Sequence, residues 1–589
     1  MNCRTNYLTK LLPPLYIGFI LILLSGCASK QPIKIEAPVD FQFITALAGD
    51  SFESLAEEHI GSANLAWRIK EFNNSQSLAP DQQLIIPLSP FNFGGLNAKG
   101  HQLIPVLSYH NFSKGRSHNK MTVSAKNFRA QLSYLKENNY HVISMSQFIE
   151  FLNFGQIPKK SVLITIDDGW KSSYEIAYPI LKKFGFSATL FIPTHFIRPQ
   201  NKRAITWAQI NEMVSDKTID IQCHTKTHRN LTKLKKNESF TDYLRAIDKE
   251  LLNSTQTIHQ QIGKKPLALA YPFGKTNPLV MALVEKHGYK AAFTVKRKNN
   301  PFYQQSFLLN RTMIYGTFNL KRFIKNIRHF AENKITQPEP IDSLLSLATL
   351  TEISPEAYEQ KQQWRTALLA WKLQRDKLLS QQQSASSVPE NFHQSLQQIK
   401  QKIADLSSKL DAIANTHYQD ALYQLNAGST KIAEKALLQT LLFNPKHQEA
   451  LSLLQSNLGK FKPVSYTVKA NDSFKSIATQ VYQDPNKAPL IPLFNDNINN
   501  EQDLISGTQV SLPSLPKGFK TQKTVIIKKR CNVVLTKSAT ALAADYYHKA
   551  NNNFDHDQMS KAISNLKTAI CLNPAHTEAK EMLEMLQDL

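Results

Sequence analysis

Val162, Leu163 and Ile164 lead without a break into Thr165-Ile166-Asp167-Asp168-Gly169. A run of apolar β-formers that ends in two carboxylates and a glycine places both acids where a buried strand stops and the chain turns. About fifty-five residues later His224-Thr225-Lys226-Thr227-His228 follows another strand-like stretch, Ile219 to Ile221. Strand ends at one face of an α/β barrel are where such folds carry their chemistry. One carboxylate and two imidazoles, with a fourth position left for water, make a catalytic divalent-metal site, with Zn2+ the first choice. The other carboxylate is then free to act as a base on that water. Asp-Asp-Gly alone is an ordinary turn, and His-x-x-x-His alone is most often a surface pair. Together, in this order and each after a buried strand, they are far more specific.

These motifs resemble those of the NodB-type polysaccharide deacetylases, carbohydrate esterase family four. The family's Thr-Phe-Asp-Asp-Gly is read here with Ile166, and its His-Ser/Thr-x-x-x-His, or a form one residue shorter, at His224 to His228. The likeness runs from about Leu103 to Phe323. Pro105 to His110 is similar to the opening strand of members that act on exopolysaccharides. Ala270-Tyr271-Pro272-Phe273-Gly274 is similar to the third motif. The resemblance implies a distorted (β/α) barrel that hydrolyses an acetamide. Asp167 would be the general base, Asp168, His224 and His228 the metal ligands, and the Phe273 backbone N–H a donor to the oxyanion. Two positions depart from the pattern. Ala270 stands where many members carry an arginine that orients the base, and the stretch Thr312 to Thr317 that follows Arg311 holds no histidine to act as the late acid. His110, at the end of the first barrel strand, is the candidate to protonate the leaving amine, since imidazole titrates near neutrality. Orienting a neighbouring loop or a metal ligand is the other role open to it.

The N-terminus speaks for export. Arg4 and Lys10 precede an apolar run, Leu11 to Leu24, that contains Pro13 and Pro14 and falls short of the roughly 20 residues that span a bilayer. It reads as a secretory signal. Its end, Leu24-Ser25-Gly26-Cys27, resembles a bacterial lipoprotein signal, with Cys27 lipidated and the mature protein anchored to the outer membrane, facing the periplasm. The 589 residues carry 70 basic and 46 acidic side chains, a net charge of +24. In that compartment the excess suits anionic glycans or lipid headgroups and excludes nucleic acid as the natural partner. Cys223 should point opposite to His224 and lie in the core, while Cys531 and Cys571 remain as a possible pair.

The rest of the chain is modular. Residues 42–89, with Gly49-Asp50-Ser51, Trp67, Asn73 and Leu84 to Pro87, resemble a LysM module, a βααβ unit that binds N-acetylglucosamine chains. Residues 464–515 repeat the plan, with Asn471 in place of the turn glycine. Residues 331–412 form a Gly-free amphipathic helical region, and 413–460 and 541–589 resemble tetratricopeptide repeats, each ending in Asn-Pro, His and Glu-Ala. The remaining segments are the signal (1–27), a tether (28–41) and linkers at 90–102 and 516–540. The whole reads as an envelope lipoprotein: a metal-dependent deacetylase of N-acetylglucosamine-containing glycan, peptidoglycan first and exopolysaccharide second. Its modules would target the polymer, and its helical repeats are available to a protein partner. The alternative is a catalytically weak, glycan-binding scaffold.

Overall fold

The computed structural model describes residues 39–115, 119–332, 354–384, 390–458, 464–515, 539–555 and 558–587. The chain divides into two units, Met1–Val39 and Asp40–Leu589. Apart from Val39, the first unit, with the predicted signal and Cys27, lies outside the described residues. No described helix is long and apolar enough to cross a membrane.

Sixteen strands are described, in chain order. β1 (Phe41–Thr45) and β2 (Gln83–Pro87) belong to the first module. β3 (Gly100–Gln102), β4 (Val106–Tyr109), β5 (Asn111–Ser113), β6 (Thr122–Ser124) and β7 (His141–Val142) follow. The central strands are β8 (Ser161–Asp167), β9 (Ala188–Ile192), β10 (Ile219–Cys223), β11 (Ala268–Ala270), β12 (Ala291–Phe293) and β13 (Thr312–Met313). β14 (Phe330–Glu332), β15 (Val464–Thr467) and β16 (Gln509–Leu512) complete the set.

The frame that carries the two motifs is a parallel sheet in the order β12-β11-β10-β9-β8-β4-β13, with β7 beside β8. Every residue of β8 is buried, as its unbroken apolar run requires of a strand covered on both faces. The sheet curls until the segment entering β13 meets β12 at the parallel bridge Phe293↔Leu309. Parallel pairing puts all C-terminal strand ends at one edge, so the motifs after β8, β10 and β11 converge although a hundred residues separate them.

The predicted linker 90–102 contains a strand: β3 pairs antiparallel with β14 and ties the two ends of the domain together. The predicted boundary at 412/413 falls inside a single helix, Phe392–Asn426. The linker 516–540 lies outside the described residues up to its last two, where the helix Ala539–Asp555 begins.

Both modules are βααβ units. β1 and β2 pair antiparallel around helices Phe52–Ile60 and Ala66–Phe72, and β15 and β16 around Phe474–Tyr482 and Leu490–Phe494. Ser51 and Ser473 close equivalent capping boxes at the first helix of each. Asn471 adopts φ 67° where Gly49 has φ 98°, the left-handed turn that Asn tolerates. The first module is held by helix Trp364–Ser384, whose Asp376 carboxylate accepts from the N–H groups of Asp40 and Phe41 at 2.8 and 2.9 Å.

The helical repeats pack on the barrel. Ala436, Leu437 and Leu441 share a core with Phe148 and Phe302. Leu566, Met582 and Leu583 join the core of Tyr315 and Phe318. Those faces are occupied by the barrel. Cys571 is disulfide-bonded, and Cys531, the pairing considered from the sequence, lies outside the described residues. Cys223 is a free buried thiol, 3.1 Å from the Ser254 hydroxyl.

Candidate active site

Asp167 ends β8, and Asp168 begins the turn with φ 76°. Gly169 follows at φ 70°, and a Cβ there would lie 2.9 Å from Ile197 Cδ1, so a side chain would be strained and would push Ile197 aside. Thr225, His228 and Phe273 also take left-handed backbone (φ 66°, 61° and 60°). A conformation costing about 1–2 kcal/mol per non-glycine residue recurs around one pocket, as it does where geometry serves chemistry.

The two motifs meet as the sequence predicts. His224 Nε2 and His228 Nε2 lie 3.6 and 3.8 Å from Asp168 Oδ1. Two ligands each about 2.1 Å from a tetrahedral centre stand roughly 3.4 Å apart, so the three atoms are spaced for a Zn2+-sized ion. Their neighbours leave the right atoms free. His224 Nδ1 is 2.7 Å from the Ala270 carbonyl, which accepts its N–H and turns the Nε2 lone pair toward Asp168. The Trp170 indole donates to Asp168 Oδ2 at 2.9 Å, leaving Oδ1. Burial holds His224 below its ordinary pKa against the pull of Asp167 and Asp168. Burial, then the neighbouring His224, brings His228 to about 4. Both rings are neutral near pH 7, as metal ligands must be.

Asp167 stands apart from this triad. Ala270 leaves the orienting arginine missing from its expected place, and Arg311 supplies it from elsewhere. The Arg311 guanidinium, 1% exposed, donates to Asp167 Oδ1 at 2.7 Å and through Nε to the Thr294 carbonyl at 3.1 Å. Burial pushes the Asp167 carboxyl up. Arg311, His224 and His110 more than offset this, so it lies below the ordinary carboxylate value and is ionised. His110 opens onto the same face, with Nε2 3.9 Å from Asp167 Oδ2, beyond direct hydrogen-bond range. The Phe273 ring lies edge-on to His228 at 4.8 Å and is 49% exposed, on the lip of the pocket.

A second residue absent from the sequence expectations is Glu250, on helix Phe240–Ile262. Its carboxylate accepts from the N–H groups of Lys226 and Thr227 at 3.0 and 2.8 Å and from the Thr227 hydroxyl at 2.6 Å. It thereby fixes the loop between the two histidines.

Residues 155–292 match the polysaccharide deacetylase family model. Poly-beta-1,6-N-acetyl-D-glucosamine N-deacetylase of Staphylococcus aureus is 28% identical over 207 residues, covering 34% of this chain and 71% of that protein. This segment is similar to the polysaccharide deacetylases. Among solved structures, the deacetylase PplD of Streptococcus pyogenes aligns with 98% of its length and 38% of this chain, at 24% identity and TM-score 0.36. IcaB of Ammonifex degensii aligns with 97% of its length and 39% of this chain, at 22% identity and TM-score 0.34. Asp167, Asp168, His224, His228, Phe273 and His110 lie together in one cluster at the C-terminal ends of the strands. Cys27 lies outside the described residues.

Proposed function

We propose that the protein is a metal-dependent polysaccharide N-deacetylase of the bacterial envelope, acting on N-acetylglucosamine-containing glycan. The observation that carries this is the division of labour between two adjacent carboxylates: Asp168 faces two neutral imidazoles, while Asp167 is paired with Arg311 and held ionised. A divalent ion held by Asp168, His224 and His228 would supply an activated water and polarise the acetamide carbonyl. Asp167 takes the proton from the attacking water, and Arg311 keeps its carboxylate aimed and charged as it does so. The Phe273 N–H, on the lip beside His228, is the donor for the oxyanion. His110 lies on the open side of Asp167, where one intervening water would connect the two, and is the group to protonate the departing amine.

Peptidoglycan is the first substrate, because the two βααβ units, read as LysM modules, would add avidity for a wall polymer without new catalytic contacts. The S. aureus relative, named for poly-β-1,6-N-acetylglucosamine, favours an exopolysaccharide as the second reading. A lipid anchor at Cys27 would hold the enzyme on the outer membrane, facing the wall. Acetate release from purified peptidoglycan and from poly-β-1,6-N-acetylglucosamine, side by side, decides between them. Loss of wall co-sedimentation without loss of soluble-oligomer turnover, on deleting residues 42–89 and 464–515, would identify the modules as targeting elements. No acetate from either polymer would leave the glycan-binding scaffold as the surviving account.

A further inference from the structure

The C-terminal helices Ala539–Asp555, Met559–Leu572 and Thr577–Gln587 sit at the catalytic end of the barrel, and their contacts follow an arc. After β4, Lys120 bonds Asn551. After β12, the Arg297 guanidinium lies 5.2 Å from the centre of the Phe554 ring. After β13, Tyr315 meets the same ring at 6.1 Å and donates its hydroxyl to Met585 Sδ at 3.6 Å. After β11, Lys275 pairs with Glu584 at 3.3 Å, and after β10, Lys233 pairs with the same carboxylate at 2.7 Å. Around the rim the strands run β10, β11, β12, β13, β4, β8, β9, so the five clamped loops are consecutive.

The loops after β8 and β9 form the rest of the rim. They are zipped to each other by the bridge Trp170↔Ala204 and by Lys171 N–H to the Arg203 carbonyl at 2.8 Å. Arg198, Lys202 and Arg203 stand exposed on this edge. Phe273, edge-on to His228, is half exposed, so the helices do not cover it. Lys275, clasped by Glu584, is two residues from Phe273, which brings the helices close beside the reacting centre.

We propose that these helices are a fixed wall of the substrate cleft, which bars the glycan from the β10-to-β4 arc and admits it across the β8–β9 edge. This rests on the deacetylase reading of the pocket. A polymer lying across an open barrel mouth needs two opposed exits, and the wall leaves one. The enzyme should therefore act close to a chain end, and the wall rather than the metal site should set how far from that end it works. Phe554 and Glu584 are the positioning residues: Phe554, 3% exposed, wedges between Tyr315 and Arg297, and Glu584 clasps Lys233 and Lys275.

The test uses the full chain on hexamers of N-acetylglucosamine, β-1,4- and β-1,6-linked in parallel, with the deacetylated positions mapped by mass spectrometry and a disaccharide as reference. Wild type should remove acetyl groups within two sugars of one end. The double variant Phe554→Asp/Glu584→Lys places a carboxylate in the apolar contact and a third cation against Lys233 and Lys275, so the face cannot stay docked. It should spread deacetylation to internal sugars and keep disaccharide turnover within about twofold. A reducible bis-maleimide cross-link across the clasp, in Lys233→Cys/Glu584→Cys, where a direct disulfide is too short to replace a Lys–Glu pair, should leave pattern and turnover as in wild type, because a wall need not move. Internal deacetylation by wild type, an unchanged pattern in the charge variant, or loss of disaccharide turnover along with it overturns the wall. So does hexamer turnover that is lost on closing the cross-link and restored by reducing it, since that describes a lid. A wild type that releases acetate from no glycan refutes instead the deacetylase reading on which the wall depends.

Discussion

Replacing Arg311 with methionine removes the charge that Asp167 depends on while filling much of the stem's volume. Both residues are 1% exposed and their side chains are 2.7 Å apart, so little solvent can replace the guanidinium. Breaking a buried pair by deleting one partner costs about 3–5 kcal/mol. Asp167 can escape part of that by taking up a proton, and about 3 kcal/mol corresponds to roughly two pKa units. In the wild type the folded carboxyl lies below its unfolded value, so it contributes stability above the unfolded pKa that is lost as pH falls through the folded one. In Arg311→Met the order reverses, burial dominates, and the variant's stability deficit should be largest near neutrality and narrow toward pH 4. Urea melts against pH read this directly. The acid limb of acetate release should move up by about two pH units, with turnover near neutrality falling about 10²-fold. Arg311→Lys, which keeps a cation but not the fork, should fall between. An unmoved acid limb with unchanged melts would show that Arg311 does not tune the base.

Glu250→Gln weakens two backbone contacts to the loop between the histidines, hydrogen bonds to a charged group worth about 1.5–3 kcal/mol. Metal affinity measured by competitive chelation should drop about 10–100-fold, with the fold intact by circular dichroism; unchanged affinity would make Glu250 purely structural. His110→Ala should keep the metal, lower turnover about 10²–10⁴-fold and flatten the alkaline limb; an unchanged alkaline limb would leave solvent as the acid. His101 is buried, and burial lowers its pKa to about 4. The unfolded chain binds its proton near pH 6.5 and the folded one does not, so stability should fall by up to about 3 kcal/mol between pH 6.5 and 4. His101→Gln should remove that slope, and equal slopes in urea melts of the two proteins would rule the residue out as its source.

The proposed metal triad is legible because its members sit in two short motifs, each at the end of a strand whose burial shows in its composition. Parallel pairing then made their meeting a matter of topology rather than of side-chain detail. Arg311 was not legible by motif, because it replaces Ala270 from a different strand end. Its signal was a lone guanidinium among Leu308, Leu309, Met313 and Ile314, where an unpaired charge would be untenable. Glu250 left a similar trace. It lies on the stripe of Ile247, Leu251 and Ser254 that its helix buries, and an acid there needs partners. The boundary at 412/413 failed for another reason: helical periodicity runs on through Phe392–Asn426, and no cap marks a break. Amphipathic repeats announce an apolar face without naming what covers it, so the docking of both hairpins on the barrel could not be read from the chain.

The central claim is that Asp168, His224 and His228 bind a metal which Asp167 exploits without holding it. Zn2+ stoichiometry and acetate release should be measured on the same preparations of wild type, His224→Ala and Asp167→Asn, with N-acetylglucosamine oligomers as substrate. The account predicts one Zn2+ and turnover for wild type, neither for His224→Ala, and one Zn2+ without turnover for Asp167→Asn. Full activity in Asp167→Asn, or a wild type that binds no divalent ion, would contradict it.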